Sequence, residues 1–274
     1  MGCHEAKSCS AARPVKLYTA LRSHKLSGPS CHRCGEESLE APSNGAKMTR
    51  SLPHQLAQTH AAALERTMAT GGTTVDVDTL DRALWKALKP ARALTGRTPR
   101  RKRRVATKSR ARAAGVYEEL LAKAEARDNA ASKRGRYRCL LRLGDLRRYG
   151  GDAKRATAWY ERARRAEPGR GEAENGLGAV AQATGRPVTA AYLYWRGSRA
   201  ARPFRPAARN FKAMLEILRG RADDEAASTV VLAFDGDAVA ASARLADLRA
   251  RKALSASRLA ECEALLEHAA RRMQ

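Results

Sequence analysis

The stretch Tyr137-Arg-Cys-Leu-Leu-Arg-Leu-Gly-Asp-Leu-Arg-Arg-Tyr149, with Ala158-Trp-Tyr-Glu-Arg-Ala163 and Pro168 behind it, decides how this chain folds. Within it Leu140, Leu143, Gly144, Ala156, Tyr160, Ala163 and Pro168 form a set of apolar, small and aromatic positions at helical spacing. Moving 34 residues along gives Leu177, Gly178, Ala190, Tyr194 and Gly197, with Pro203 one position late. Alanine and leucine are common in the chain, so one such set would carry little weight. Two sets in register are a repeat.

A 34-residue period is that of tetratricopeptide hairpins, in which two antiparallel helices make one unit. The small side chains at Gly144 and Gly178 let the first helix approach the second, and Ala156 and Ala190 do the same from the other side. Tyr160 and Tyr194 fill the space left between them, and the proline closes the unit. The pattern predicts helices over 116–128, 131–149, 152–166, 171–184, 187–201 and 204–219. The match then fails at Lys212 and decays beyond Gly220, leaving 237–251 and 255–273 as two capping helices that end in Arg271-Arg272. Upstream, 51–69 reads as a helix with Leu52, Leu56 and Ala63-Leu64 on its apolar face. Residues 76–88 read as another, with Leu80, Leu84 and Leu88 beside Trp85. The fold class is all-α, with hairpins stacked as a right-handed solenoid.

Working outward, the 274 residues carry 53 Lys+Arg against 28 Asp+Glu, a formal net charge of +25, with pI near 10.7 and mean hydropathy −0.54. No apolar run approaches the length of a membrane span. The charge excess implies an anionic partner. Aromatic residues make up 5% of the chain, which argues against a β-sandwich. Residues 1–50 show no sustained period and read as a disordered leader holding Cys3, Cys9, Cys31 and Cys34, whereas Cys139 and Cys262 sit singly in helical patterns as small buried hydrophobes. Cys31-His32-Arg33-Cys34 is half of a zinc ribbon without a second close pair, so Cys31 and Cys34 are weak metal candidates and no metal or cofactor is assigned. Met1-Gly2-Cys3 departs from an acylation signal because Ala6 stands where serine or threonine is needed.

Between Arg92 and Arg112 lie ten Lys/Arg and no acid, centred on Arg100, Arg101, Lys102, Arg103 and Arg104. Such density repels itself, so 91–112 reads as a solvated basic loop, and the five central residues as candidate nucleic-acid or nuclear-localisation contacts. The domain plan is a leader over 1–50, the helical domain over 51–220 and a helical cap over 221–274.

The segments quoted at the start resemble the Est/SMG family, the telomerase-associated and nonsense-mediated mRNA decay proteins with a 14-3-3-like N-terminal domain. The resemblance continues through Ala173-Glu-Asn-Gly-Leu-Gly-Ala-Val-Ala181, Thr184-Gly185, Ala190-Ala-Tyr-Leu-Tyr-Trp-Arg-Gly-Ser198, Arg202-Pro-Phe204 and Ala208-Arg-Asn210. It covers about residues 116–218, with a short upstream agreement at Leu84-Trp85-Lys86.

In that family the domain reads phosphoserine. The resemblance implies Arg148 and Tyr149 as the phosphate-gripping pair, and Asn175 as a neighbour on the concave face of the stacked first helices. A second basic wall falls near Pro90, so Lys86, Lys89 or Arg92 must supply it. A guanidinium fork suits a phosphate dianion, and a phenol and an amide can donate further bonds. On the residues alone, Arg148 is a solvated helix-end cation, Tyr149 a packing residue, Asn175 a helix-start polar group and Asp145 structural. Trp85, Trp159 and Trp195 read as core.

The implied partner is the phosphorylated RNA helicase of the decay pathway, with another family member and RNA or single-stranded telomeric DNA as further candidates. The implied setting is nucleus and cytoplasm. No nucleophile turn or phosphate-cradling glycine loop occurs, and residues after Gly220 are too few for a nuclease domain. The expectation is therefore a binding protein, not an enzyme, and the alternatives are a nucleic-acid binder using 92–112 or a plain tetratricopeptide scaffold.

Overall fold

The computed structural model describes residues 52–88, 99–221 and 224–273, all within the compact unit Met48–Gln274. The leader expected over 1–50, with Cys31 and Cys34, lies outside the described residues, as do Lys89, Pro90 and Arg92. Eleven helices are described: α1 Leu52–Thr70, α2 Thr74–Leu88, α3 Arg100–Glu125, α4 Ala130–Tyr149, α5 Ala153–Ala166, α6 Gly171–Ala183, α7 Pro187–Arg199, α8 Arg205–Arg219, α9 Glu225–Phe234, α10 Ala238–Ala250 and α11 Ala256–Met273. No strand occurs among the described residues, and none of their helices is long and apolar enough to cross a membrane.

Local chemistry fixes where these helices start and turn. Asn129, Asp152, Asp224 and Asp237 each cap a helix, their side-chain oxygens accepting backbone N–H bonds from Ser132, Arg155, Ala226 with Ala227, and Ala240. Pro187 opens α7, where its missing N–H costs nothing. Gly151 and Gly185, 34 residues apart, both turn the chain at positive φ, 81° and 73°. The repeat therefore extends to the turn that reverses the chain.

The hairpins α4–α5 and α6–α7 stack as the period requires, and α8 packs on α7. A Cβ added to Gly144 would sit 2.6 Å from the Tyr160 ring, and one at Gly176 would sit 2.5 Å from the same ring. Tyr160 thus fills a slot between α4 and α6 that exists because both flanks are glycine. Tyr194 occupies the equivalent slot over Gly178, at 2.8 Å by the same measure. Leu143, Ala156, Ala190, Tyr160 and Tyr194 are all buried. A backbone bridge, Arg202 N–H to Gly169 O at 2.8 Å and Gly171 N–H to Arg202 O at 3.1 Å, ties the α5–α6 turn to the α7–α8 turn. Past α8, α11 packs on α7 and α9, completing the cap.

Three expectations need correction. The basic segment is not a loop from Arg100 onward: α3 begins there and runs unbroken to Glu125. Ala106, Ala113, Ala114, Tyr117, Leu120, Leu121 and Ala124 form its buried stripe, while Arg100, Arg101, Lys102, Arg103 and Arg104 are exposed. Repulsion among solvated cations does not outweigh one continuous apolar face. The cap holds three helices rather than two, because the decaying repeat hid α9. On α1, Leu56 is 51% exposed and the buried set is Ala57, Leu64 and Met68.

The three tryptophans pack against the core, as read, though each is half-buried, and guanidinium groups cover two of them. Arg142 lies 4.5 Å from the Trp85 ring centre and Arg162 4.7 Å from that of Trp159. Cys139 and Cys262 are buried free thiols, as expected; burial pushes Cys139 well up and Cys262 to about 12.

Candidate functional site

Helix α4 presents arginines at every fourth position, Arg134, Arg138 and Arg142, and then Arg148 near its end. Four-residue spacing places the first three on one helical stripe. Helix α2 lies along that stripe and brings Asp78 and Asp81 to it. Arg134, 3% exposed, grips Asp78 with Nε to Oδ1 and Nη2 to Oδ2, both 2.7 Å. Asp81 is fully buried and accepts from Tyr117 Oη at 3.1 Å, Arg138 Nη2 at 2.5 Å and Arg142 Nη2 at 2.7 Å. Burial alone would raise its pKa; the charges of Arg138 and Arg142 outweigh that and hold the carboxyl below the usual range.

The ladder continues to the α5–α6 turn. Glu167 accepts from Arg134 at 3.2 Å and pairs with Arg170 at 3.3 Å, while Tyr137 donates to Glu172 at 3.0 Å. Counting Arg134, Arg138, Arg142, Arg148 and Arg170 against Asp78, Asp81, Asp145, Glu167 and Glu172, five cations meet five anions, with the exposed Arg202 a sixth cation 3.9 Å from Glu167. Most guanidiniums on this face are therefore already neutralised inside the fold. The sequence reading missed this ladder, although the four-residue arginine spacing and an aspartate in the Leu80–Leu84 apolar stripe were both visible.

Arg148 stands at the open end of the ladder. Its Nε donates to Tyr160 Oη at 3.2 Å and its Nη2 to Asp145 Oδ1 at 3.1 Å, and the guanidinium lies 4.7 Å from the Tyr149 ring centre. Tyr160 donates its own proton to Asp145 at 2.7 Å, closing a triangle. Burial opposes the charge on Arg148, but Tyr160 and Asp145 overcome it and raise its pKa. The side chain keeps 30% exposure, and its Nη1 has no bond among the described residues. Tyr149 in turn packs on Trp85, ring centres 6.4 Å apart, so the tryptophan helix does reach this corner.

The other expected ligands are placed differently. Asn175 is half-buried on α6 and accepts from Asn210 Nδ2 at 2.8 Å, which commits its amide oxygen to α8. Tyr160 leans on Gly176, next to Asn175 in the chain, and is bonded to Arg148. Lys86 is exposed on α2, and Lys89 lies outside the described residues. Asp145 is structural, as read: it pairs with Arg148 and accepts from Tyr160.

Comparison with solved structures gives a match to a chain in the structure of the C. elegans SMG5-SMG7 complex. The TM-score is 0.54 at 16% identity, over 80% of this chain and 63% of that one. The likeness shows the fold: an all-α, 14-3-3-like helical solenoid. No protein-family model matches, and no curated protein matches.

Proposed function

We propose that the chain is a 14-3-3-like adaptor that binds a phosphoserine on a partner protein through Arg148 and Tyr149. The observation carrying this reading is the presentation of Arg148: a guanidinium braced by Tyr160 and Asp145, stacked on Tyr149, with an Nη1 that has no bond among the described residues and a side chain 30% exposed. A fork held in place loses little freedom on binding, and Nη1 can donate to a phosphate while Nη2 keeps its bond to Asp145. Each charge-assisted bond contributes roughly 1.5–3 kcal/mol, enough to decide a micromolar complex.

The likeness to a chain of the SMG5-SMG7 complex and the motif resemblance support a place in nonsense-mediated mRNA decay. The partner on this reading is the phosphorylated RNA helicase of that pathway, and a second 14-3-3-like protein is a candidate companion. The protein works by binding rather than catalysis, in nucleus and cytoplasm. The test is titration of phosphorylated and unphosphorylated helicase peptides against the wild-type chain and Arg148→Glu. Selective binding of the phosphorylated peptide, lost in the variant, supports the reading; equal binding in every case removes it.

A second reading rests on one further observation. The first turns of α3 hold Arg100, Arg101, Lys102, Arg103 and Arg104 exposed, with no acid among them, a geometry suited to a phosphate backbone.

A further inference from the structure

A second cluster of arginines lies far from Arg148. The end of α5, the turn after it and the end of α7 enclose an open pocket of about 450 Å³ lined by Arg164, Arg165, Arg170, Arg196 and Arg199. Arg148 sits beside the α4–α5 turn, at the start of α5, whereas Arg164 and Arg165 sit at its finish. With 14 residues in α5, the two places are separated by a helix about 21 Å long. No single phosphate can serve both.

The charge in this pocket is poorly balanced. One acid, Glu174, lines it, 5% exposed, with Oε1 at 3.0 Å from Arg196 and 3.9 Å from Arg164. Arg164 also pairs with Glu161 at 2.6 Å, and Arg170 belongs to the neutral ladder. Arg199 Nη2 lies 3.1 Å from Nδ1 of His268, which supplies no carboxylate, and Arg165 makes no bond among the described residues. At least two full positive charges remain uncompensated in a concave space, where their field is focused.

An independent sign comes from donors and acceptors. Trp195 lines the same pocket, and among the described residues its indole N–H is buried with no acceptor, while Glu174 Oε2, in the same pocket, is buried with no donor. A buried donor without a partner is costly, and such an orphan in a native fold calls for an explanation. The pocket therefore has surplus cations and an unpartnered indole donor, set against one unpartnered carboxylate oxygen. The cations and the donor are met by one chemistry, an oxyanion with several acceptor oxygens, which Glu174 opposes.

We infer that this pocket is a second anion site, distinct from Arg148, that takes a phosphate-bearing group with more than one phosphate. The volume exceeds what a single phosphate fills, and Arg165 and Arg199 stand at different walls, so two phosphates meet two cations. Such a group comes either from adjacent phosphoserines on a peptide or from a free polyphosphate. Glu174 is a positioning residue: it holds Arg164 and Arg196 in place and, as a buried anion, restrains affinity. The inference does not depend on the phosphoserine reading of Arg148.

The test follows the indole N–H signals of the full chain by NMR, assigned with Trp195→Phe, during titration with pyrophosphate and, separately, with a doubly phosphorylated serine peptide. A saturable shift of the Trp195 signal is expected in at least one arm, and the responding arm identifies the source. Arg165→Gln with Arg199→Gln should weaken it about a hundredfold, roughly ten-fold per lost cation, while Glu174→Gln strengthens it. Arg148→Glu should leave it unchanged and disturb only the response of Trp85, so failure at either site is read separately. Arg165→Gln alone, at an exposed position, guards against misfolding and should still weaken binding. No Trp195 shift in either arm at low salt, or an equal shift in the double variant, overturns the inference.

Discussion

Asp81 of α2 and Arg142 of α4, 61 residues apart in sequence, meet at 2.7 Å with the carboxylate wholly removed from water. Two further donors, Tyr117 and Arg138, complete the coordination of that one side chain. Helix α2 is thereby fastened to the repeats through charge as well as through Val77 and Leu84, which are fully buried beside it. A buried pair is costly to break because removing one partner strands the other.

Asp81→Asn should lower unfolding stability by about 3–5 kcal/mol, read by denaturant melts. Asparagine still accepts from Tyr117 but leaves Arg138 and Arg142 facing a neutral group. Asp81→Leu, which strands both arginines and the Tyr117 hydroxyl, should cost at least as much.

The same carboxylate sets an acid limit. Its folded pKa is depressed below the ordinary value of 3.8, so its contribution is fully present above that value and is lost as pH falls through the lower folded one. Melting temperature should therefore fall below about pH 4, and part of that fall should vanish in Asp81→Asn.

Glu174 has the opposite sign. Burial raises its pKa above the ordinary 4.5 against the pull of Arg196 and Arg164. A raised carboxyl favours folding most when protonated, with the benefit lost as pH rises through the folded value. Glu174→Gln should thus raise the melting temperature at pH 7 by about 1–3 °C, and the gain should shrink toward pH 4, as thermal scans at both pH values would register.

At the proposed phosphoserine corner, Arg148→Lys keeps the charge and loses the fork. Affinity for the phosphopeptide should drop by roughly ten-fold, less than in Arg148→Glu, by calorimetric titration. Tyr160→Phe removes the brace without touching the charge and should weaken binding by a smaller factor.

Gly144→Ala and Gly176→Ala each push a methyl into the Tyr160 ring from opposite sides. Each should destabilise by about 1–3 kcal/mol, and pairing either with Tyr160→Leu should recover part of the loss in a double-mutant cycle.

The repeats were legible because Gly144, Tyr160, Gly178 and Tyr194 announce close packing by residue type alone. Gly151 and Gly185 carry the same period into the turns. The basic segment was misread because its charges dominate the composition, while the stripe from Ala106 through Ala113, Tyr117 and Ala124 that makes it a helix is built mostly of alanine, a weak apolar signal. The arginine ladder escaped notice for a different reason. Whether Arg134 is solvated or sealed depends on Asp78, 56 residues earlier, and no local pattern states that pairing. The bond of Asn175 to Asn210 was not legible because position in a repeat predicts a face, whereas the partner on that face is a matter of tertiary contact.

The charge-neutral ladder also governs how the protein can be cut. A fragment trimmed to begin at α3 would discard Asp78 and Asp81, leaving Arg134 with Glu167 alone and Arg138 and Arg142 with only the more distant Glu172 and Asp145. Such a piece would adsorb heparin, nucleic acid or acidic resin indiscriminately, and that stickiness would be manufactured by the scissors rather than inherited from the intact chain.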